Sequence, residues 1–170
     1  MGADAGQALI TQAMLALVGE VRQRLTSYPV SASDIRRWAL AIYYPDAPPE
    51  RYVRAGAAAG ESPLVAPEEF NPFAWTVAAP KGAPRFSGPK QIEQAAGAVP
   101  PVKFSVNGGS TCEYGVAMQE GDVITSETRI TSYSQKQGSK GPLLFTDVET
   151  RWTNQRGEMV KVTVQTGIRY

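Results

Sequence analysis

After Pro101 the apolar residues fall into a period of two, and that change of period restricts the fold more than any other feature of the chain. Val102, Phe104 and Val106 alternate, and Cys112, Tyr114, Val116 and Met118 alternate again up to the turn residues Gln119-Glu120-Gly121-Asp122. A β-rich run over 123–137 ends at Gly138-Ser139-Lys140-Gly141-Pro142. Leu144, Thr146, Val148, Thr150 and Trp152 then share one side of a strand that stops at Asn154-Gln155-Arg156-Gly157. The last strand is the clearest, with Val160, Val162, Val164, Thr166, Ile168 and Tyr170 on one side. Alternating strands joined by short turns pair antiparallel, with one face toward a core and one toward water. Asn107-Gly108-Gly109 reads as another turn, not a phosphate cradle, because no strand-to-helix passage surrounds it.

Before Pro101 the spacing is helical. Leu9, Ile10, Met14, Leu17, Val18 and Val21 predict a helix from Ala5 to about Val21, with Gly19 as an early stop. Ser31 followed by Asp34 resembles a capping box, and Ile35, Trp38, Ala39 and Ile42 lie on one face of a helix over 32–43. Pro45, Pro48 and Pro49 end it and open a loop that runs through 55–60. Phe70, Phe73, Ala74 and Val77 repeat at helical spacing. Asn71 before Pro72 looks like an N-cap with proline at the first helical position, so Pro72 starts or kinks a largely buried helix. Residues 81–101, rich in Gly, Pro and Ala, read as a covering loop with one short helical turn near Ile92. Helices followed by an antiparallel meander define an α+β fold in which at least one helix covers the concave face of the sheet. The expected organisation is one domain over 1–170, with a helical extension over 1–20 and a Gly/Pro-rich loop over 80–101.

Histidine is absent. Ser-His-Asp and Cys-His nucleophiles, His-ligated zinc and imidazole acid–base catalysis are excluded together. With 17 basic and 16 acidic residues, the net charge of +1 offers no surface for nucleic acid or anionic lipid. The apolar residues up to Val18 are interrupted by Gln7, Thr11 and Gln12, which fits neither a signal peptide nor a membrane span. Cys112 is the single cysteine, so no internal disulfide forms, and a cytoplasmic location is expected. Its strand setting and lack of an imidazole partner predict a small buried side chain, not a nucleophile. Glu68 and Glu69 are read as complements to a helix N-terminal dipole. Neither a metal nor an organic cofactor is expected.

Several segments, in order, resemble the MaoC-like hydratases and dehydratases of the hot-dog fold, in particular their N-terminal-type dehydratase domain. They are residues 31–39 (SASDIRRWA), Val65-Ala66-Pro67, Asn107-Gly108-Gly109, Gly121-Asp122-Val123-Ile124 and Asn154-Gln155-Arg156-Gly157-Glu158. The resemblance runs from about Gly19 to Tyr170. It implies an antiparallel sheet wrapped around a central helix, with two such units paired edge to edge and acyl-thioester sites at the seam. Active members carry Gly-Asp-x-Asn-Pro-x-His after the entry helix, where the Asp/His pair manages water and proton in reversible hydration of a 2-enoyl thioester. Here Tyr43 and Tyr44 occupy the Gly and Asp positions, Pro45 is kept, Asp46 stands for Asn, and Pro49 or Glu50 falls where His belongs. A phenol with a pKa of about 10 at Tyr44 is a poor base at neutral pH.

A carboxylate mechanism in this loop would have to use Asp46 or Glu50, although a solvated turn explains Asp46 beside Pro45 without catalysis. Pro67 and Pro72 each remove a backbone donor close to where the family's oxyanion hole would form. Phe70, Asn71, Phe73 and Trp75 are the candidate substrate-binding residues, since the central helix of this fold flanks the acyl tunnel; core packing explains Phe73 and Trp38 equally well. Lys136, Lys140 and Arg156 are candidate contacts for CoA phosphates, or simply solvated cations. The resemblance implies a non-catalytic, substrate-holding subunit of a heteromeric enoyl-CoA hydratase or 3-hydroxyacyl-thioester dehydratase. A His-bearing MaoC-like subunit would be its partner, and an acyl-CoA or acyl carrier protein thioester its ligand. The erased dyad leaves room at the seam for a bulky acyl group such as a steroid side chain. The alternatives are a stand-alone acyl-thioester binding protein and a carboxylate-dependent hot-dog thioesterase.

Overall fold

A computed structural model of the protein describes residues 8–54, 63–74 and 88–170. Its elements are α1 (Gln12–Leu15), β1 (Val21–Thr26), α2 (Ala32–Tyr43), α3 (Glu50–Val53), α4 (Pro89–Ala95), β2 (Ser105–Tyr114), β3 (Thr125–Gly138), β4 (Gly141–Thr153) and β5 (Met159–Arg169). The strands form one antiparallel sheet in the order β1-β3-β4-β5-β2. β3, β4 and β5 make the expected meander, turning at Ser139-Lys140 and at Asn154–Gly157. At the second turn Asn154 Oδ1 accepts from the amides of Arg156 and Glu158, each at 3.0 Å.

Along β3 and β4 the alternation does what the pattern requires. Ser126, Thr128, Ile130, Leu144, Thr146 and Val148 are buried on one face. On the other, Glu127, Arg129, Glu149 and Arg151 form ion pairs within and across the two strands, with Arg129 Nε 3.4 Å from Glu149 across the ladder and Arg151 Nε 3.5 Å from it along β4. Two apolar clusters sit on the sheet. Leu9, Met14 and Leu17, with Ile92 and Ala98, pack on Ile130, Leu144 and Val148 at one end. At the other end Val30, Ile35, Leu64, Ala66 and Phe70 pack with Met118, Ile124 and Val160.

α2 spans 32–43 as its spacing predicts. Asp34 N donates to Ser31 Oγ at 3.1 Å and Ser31 Oγ donates to Asp34 Oδ2 at 2.8 Å, so the cap is reciprocal. Ser31→Ala is expected to cost about 1 kcal/mol of stability, read as a lower urea midpoint with an unchanged slope.

Three sequence expectations need correction. Among the described residues the N-terminal helix is only Gln12–Leu15, because Gly19 turns at φ 84° and Val21–Thr26 leaves as an edge strand on β3; Ala5 to Gln7 of the expected helix lie outside them. Asn107-Gly108-Gly109 does not join two strands; it is a bulge inside β2, where Gly109 has φ 124° and donates to Asn107 Oδ1 at 2.9 Å. Glycine is required at 108 by close approach, since a Cβ there would meet the Ile168 side chain at 2.9 Å. Cys112 is exposed on β2 and not buried, because this strand lies at the edge of the sheet. The turn near Ile92 is the seven-residue helix α4. Of the helix expected around Phe70–Val77, residues up to Ala74 form turns, with Asn71 Oδ1 capping the Phe73 amide at 2.9 Å; the rest lies outside the described residues. No helix among the described residues is long and apolar enough to cross a membrane.

Candidate functional site

The loop after α2, where the resemblance places the family's acid–base motif, is superficial. Tyr43 ends the helix, Tyr44 is 83% exposed, and the Tyr44–Pro45 peptide is cis. Asp46 is exposed, its amide donating to Tyr43 O at 2.8 Å. Glu50 opens α3 and faces Arg54 across 3.6 Å, both side chains largely in water. Tyr44, Asp46 and Glu50 are exposed, and the half-buried Tyr43 packs beside the Tyr52 ring at 6.1 Å.

A cleft of about 80 Å³ lies elsewhere, between the 66–68 segment and the strand ends of β2, β4 and β5. Ala66 N donates to Met118 O and Glu120 N to Leu64 O, each at 2.8 Å, which fastens the 64–66 segment alongside the chain that leaves β2. Phe70 N closes a turn onto Pro67 O at 2.9 Å. Gly115 is pressed so tightly on β5 that a Cβ would lie 2.1 Å from Met159 O, so only glycine permits this wall. The lining is mostly apolar (Ala66, Pro67, Val116, Met118, Val160), with Tyr114 and Trp152 at the side of one cation, Lys161, and with one carboxylate residue, the exposed Glu68, at its edge. Lys161 Nζ stands 5.1 Å from the Tyr114 ring centroid, 5.4 Å from that of Trp152 and 3.1 Å from Glu69 Oε2. The rings attract the ammonium, and its counter-ion Glu69 is 66% exposed, so the pair is easily exchanged with solvent.

Of the expected substrate-binding residues, Phe70, Asn71 and Phe73 are not among those that line this cleft. Phe73 packs edge-on behind Trp152 at 5.3 Å, and Phe70 edge-on to Trp38 at 5.8 Å in the core. Asn71 is a cap, and Trp75 lies outside the described residues. Of the expected phosphate contacts, Arg156 is committed to Asp122 at 3.1 Å and to Glu158 at 2.6 Å. Asn154 and then Arg156 hold the Glu158 carboxyl below its usual range. Lys136 lies over the Phe145 ring at 5.2 Å. Among the described residues no group of three or more His, Cys, Asp or Glu is placed to hold a metal ion.

A second polar centre went unseen in the sequence. Glu93 on α4 is fully buried and accepts from Arg169 Nη2 at 2.7 Å, from Arg169 Nη1 and from the Tyr133 hydroxyl at 2.9 Å. Arg169 Nη2 also donates to Thr146 Oγ1 at 2.7 Å. Burial, and then the Glu93 carboxylate, push the Tyr133 phenol well above its ordinary value, so it stays a donor and not an acid. Spacing along the chain carried no signal for it: Arg169 shares the polar side of its strand with Lys161, Thr163 and Gln165, and it is pairing with buried Leu144 that places it in the interior.

The profile of the FAS1-like dehydratase domain region matches residues 16–163. The chain belongs to this family. Its fold is the hot-dog fold of the MaoC-like hydratases and dehydratases. The ChsH1-ChsH2 complex of Mycobacterium tuberculosis superposes with a TM-score of 0.60 at 18% identity, over 94% of this chain and 89% of the other. The HadBC (3R-hydroxyacyl-ACP dehydratase) complex of the same organism gives 0.50 at 17% identity, over 86% and 96%. R-hydratase PhaJ1 of Pseudomonas aeruginosa gives 0.50 at 16%, over 88% and 81%. Comparison with curated protein sequences gives no match. At these identities the structural likeness speaks for the fold, and the family match for membership. This FAS1-like dehydratase domain therefore keeps the frame while its sequence contains no histidine.

Proposed function

We propose that this FAS1-like dehydratase domain is the non-catalytic, substrate-holding subunit of a heteromeric enoyl-CoA hydratase or 3-hydroxyacyl-thioester dehydratase. The Asp/His pair comes from a His-bearing MaoC-like partner. One observation carries the reading: a hot-dog frame with an apolar cleft contains no imidazole anywhere, and the carboxylates of the degenerate loop are in water and absent from the cleft lining. Hydration requires a base for the water that adds to C3 and an acid for the proton delivered to C2, both with pKa values near neutral. Asp46 and Glu50 do not line the cleft, so neither is placed to serve as that base or acid.

The partner's place is suggested by the sheet. β2 is an outer strand of ten residues, every one exposed, and Val106, Tyr114 and the adjoining Phe104 and Val116 leave apolar surface along it. A long, unguarded edge of this kind invites a further strand. Two of the similar structures are complexes named for two chains each, which agrees with pairing between unlike subunits. Loss of one dyad also frees volume at the seam for a bulky acyl group, such as a branched, polycyclic or steroid side-chain thioester, a step that rests on fold analogy.

The test is hydration of a 2-enoyl-CoA by the chain alone, by a His-bearing MaoC-like subunit alone, and by the two together. Turnover that needs the mixture supports the reading. Hydrolysis or hydration by the lone chain contradicts it. Within the mixture Asp46→Ala should leave kcat within about twofold, because an exposed loop carboxylate takes no part in the transition state.

A further inference from the structure

Strand register puts Lys161 between two aromatic residues. It pairs with Trp152 across β4 and β5 and with Tyr114 across β5 and β2. Its side chain is only 13% exposed, and the cleft around it is closed by buried Ala66, Met118 and Val160. An ammonium carries three donors, and neither ring faces nor aliphatic carbon accept them as an oxygen would. Among the described residues its oxygen partner is Glu69, at 3.1 Å, whose side chain is 66% exposed and does not line the cleft. An ion pair with so exposed a partner is weak, so exchange of Glu69 for another carboxylate costs little. Glu68 and Glu69 set two carboxylates beside one cation, and an entering anion therefore replaces Glu69 instead of joining it. Size limits what can enter. The cleft of about 80 Å³ is roughly half the ~150 Å³ that a benzene molecule occupies in an apolar cavity, so it admits the end of a chain and not a ring.

We propose that the cleft is a receptor for a terminal carboxylate, and that Lys161 makes this subunit hold acyl thioesters whose chain ends in a carboxylate over those that end in hydrocarbon. The proposal deepens the substrate-holding reading above and rests on it. The methylenes next to the carboxylate meet Ala66, Met118 and Val160, and the carboxylate takes the place of Glu69 on Nζ. Tyr114 and Trp152, with centroids 5.1 and 5.4 Å from Nζ, fix the ammonium by cation–π attraction. Glu69 occupies the ammonium while the cleft is empty and returns to water when it is filled. A hydrocarbon end discriminates against itself, because it covers Lys161 further without supplying a counter-charge. Lys161 is on this account a specificity-determining residue, and it makes and breaks no covalent bond.

The test uses the full chain alone, titrated calorimetrically at neutral pH with glutaryl-pantetheine, with hexanoyl-pantetheine of similar length, and with inorganic phosphate. The glutaryl thioester is expected to bind at least about tenfold more tightly than either of the others, the scale of one charge-assisted contact. Lys161→Met should bring the two thioesters within about twofold of each other. Glu69→Gln, an exposed change, should tighten the glutaryl thioester by about threefold, since the competing carboxylate is gone. A Glu69 that only anchors Lys161 would leave that affinity unaltered or weaken it when replaced. Equal affinity for the two thioesters, phosphate as tight as the glutaryl thioester, no saturable binding, a preference that survives Lys161→Met, or no gain in Glu69→Gln would overturn the receptor. The heteromeric reading fails separately. A carboxylate preference in the lone chain, without hydration by any mixture with a His-bearing subunit, contradicts that reading and keeps the receptor. Hydration by the mixture with no preference between carboxylate and hydrocarbon endings does the reverse.

Discussion

Glu93→Ala is expected to lower the unfolding free energy by about 3–5 kcal/mol, measured by urea denaturation. The side chain is fully buried, and its removal strands the Arg169 guanidinium, 5% exposed, without its counter-charge, together with the Tyr133 hydroxyl. Against a total of about 5–15 kcal/mol for an ordinary domain, this is a large share of the stability. Replacing both charges by apolar groups, as in Glu93→Leu with Arg169→Met, should recover most of the loss, since a buried pair owes much of its apparent strength to the penalty of leaving one charge alone. A change below about 1 kcal/mol in Glu93→Ala would mean that the pair is solvated and does not fix α4 on the sheet.

Lysine at Val106 and Val116 together should abolish assembly with the partner and, with it, all hydration by the mixture, while the chain itself stays folded. Both residues are exposed at or beside the outer strand, 47% and 39%, so the change costs little in the free subunit. Across a seam between edge strands the same lysines would be buried without counter-ions, and edge lysines are a common device against strand pairing. Sedimentation of the mixture reads the outcome. A complex of unchanged size and activity would move the interface away from β2.

The sheet was legible in the residues because its signal is local. Alternation from Leu144 to Trp152 and from Val160 to Tyr170, with turn chemistry at 138–142 and 154–157, gives β3, β4 and β5 almost residue by residue. β1 was not legible, because an edge strand such as Val21–Thr26 has no buried face to impose a pattern, and helical spacing upstream ran into it. Asn107-Gly108-Gly109 has the composition of a turn, and only the neighbouring strand, through Ile168, makes it a bulge. The absence of histidine was legible in full, since an absent residue type needs no geometry. The cleft was not. Lys161 lies next to Trp152, Tyr114 and Glu69 only through cross-strand register and the turn after Ala66, which spacing along one chain does not reveal. Spacing along the chain does not separate a core role from a tunnel role for Phe70 and Phe73, because aromatic residues in either setting share the same helical period; in the fold they pack on Trp38 and Trp152.

The most direct test of the division of labour is the hydration rate of the assembled complex after the histidine of the partner subunit has been replaced by alanine. With this chain intact and the complex of unaltered size, turnover should fall by several orders of magnitude, to the level of buffer, because no imidazole remains in either polypeptide's acid–base loop. Sustained turnover under those conditions would place the proton transfers on side chains of this subunit and contradict the account.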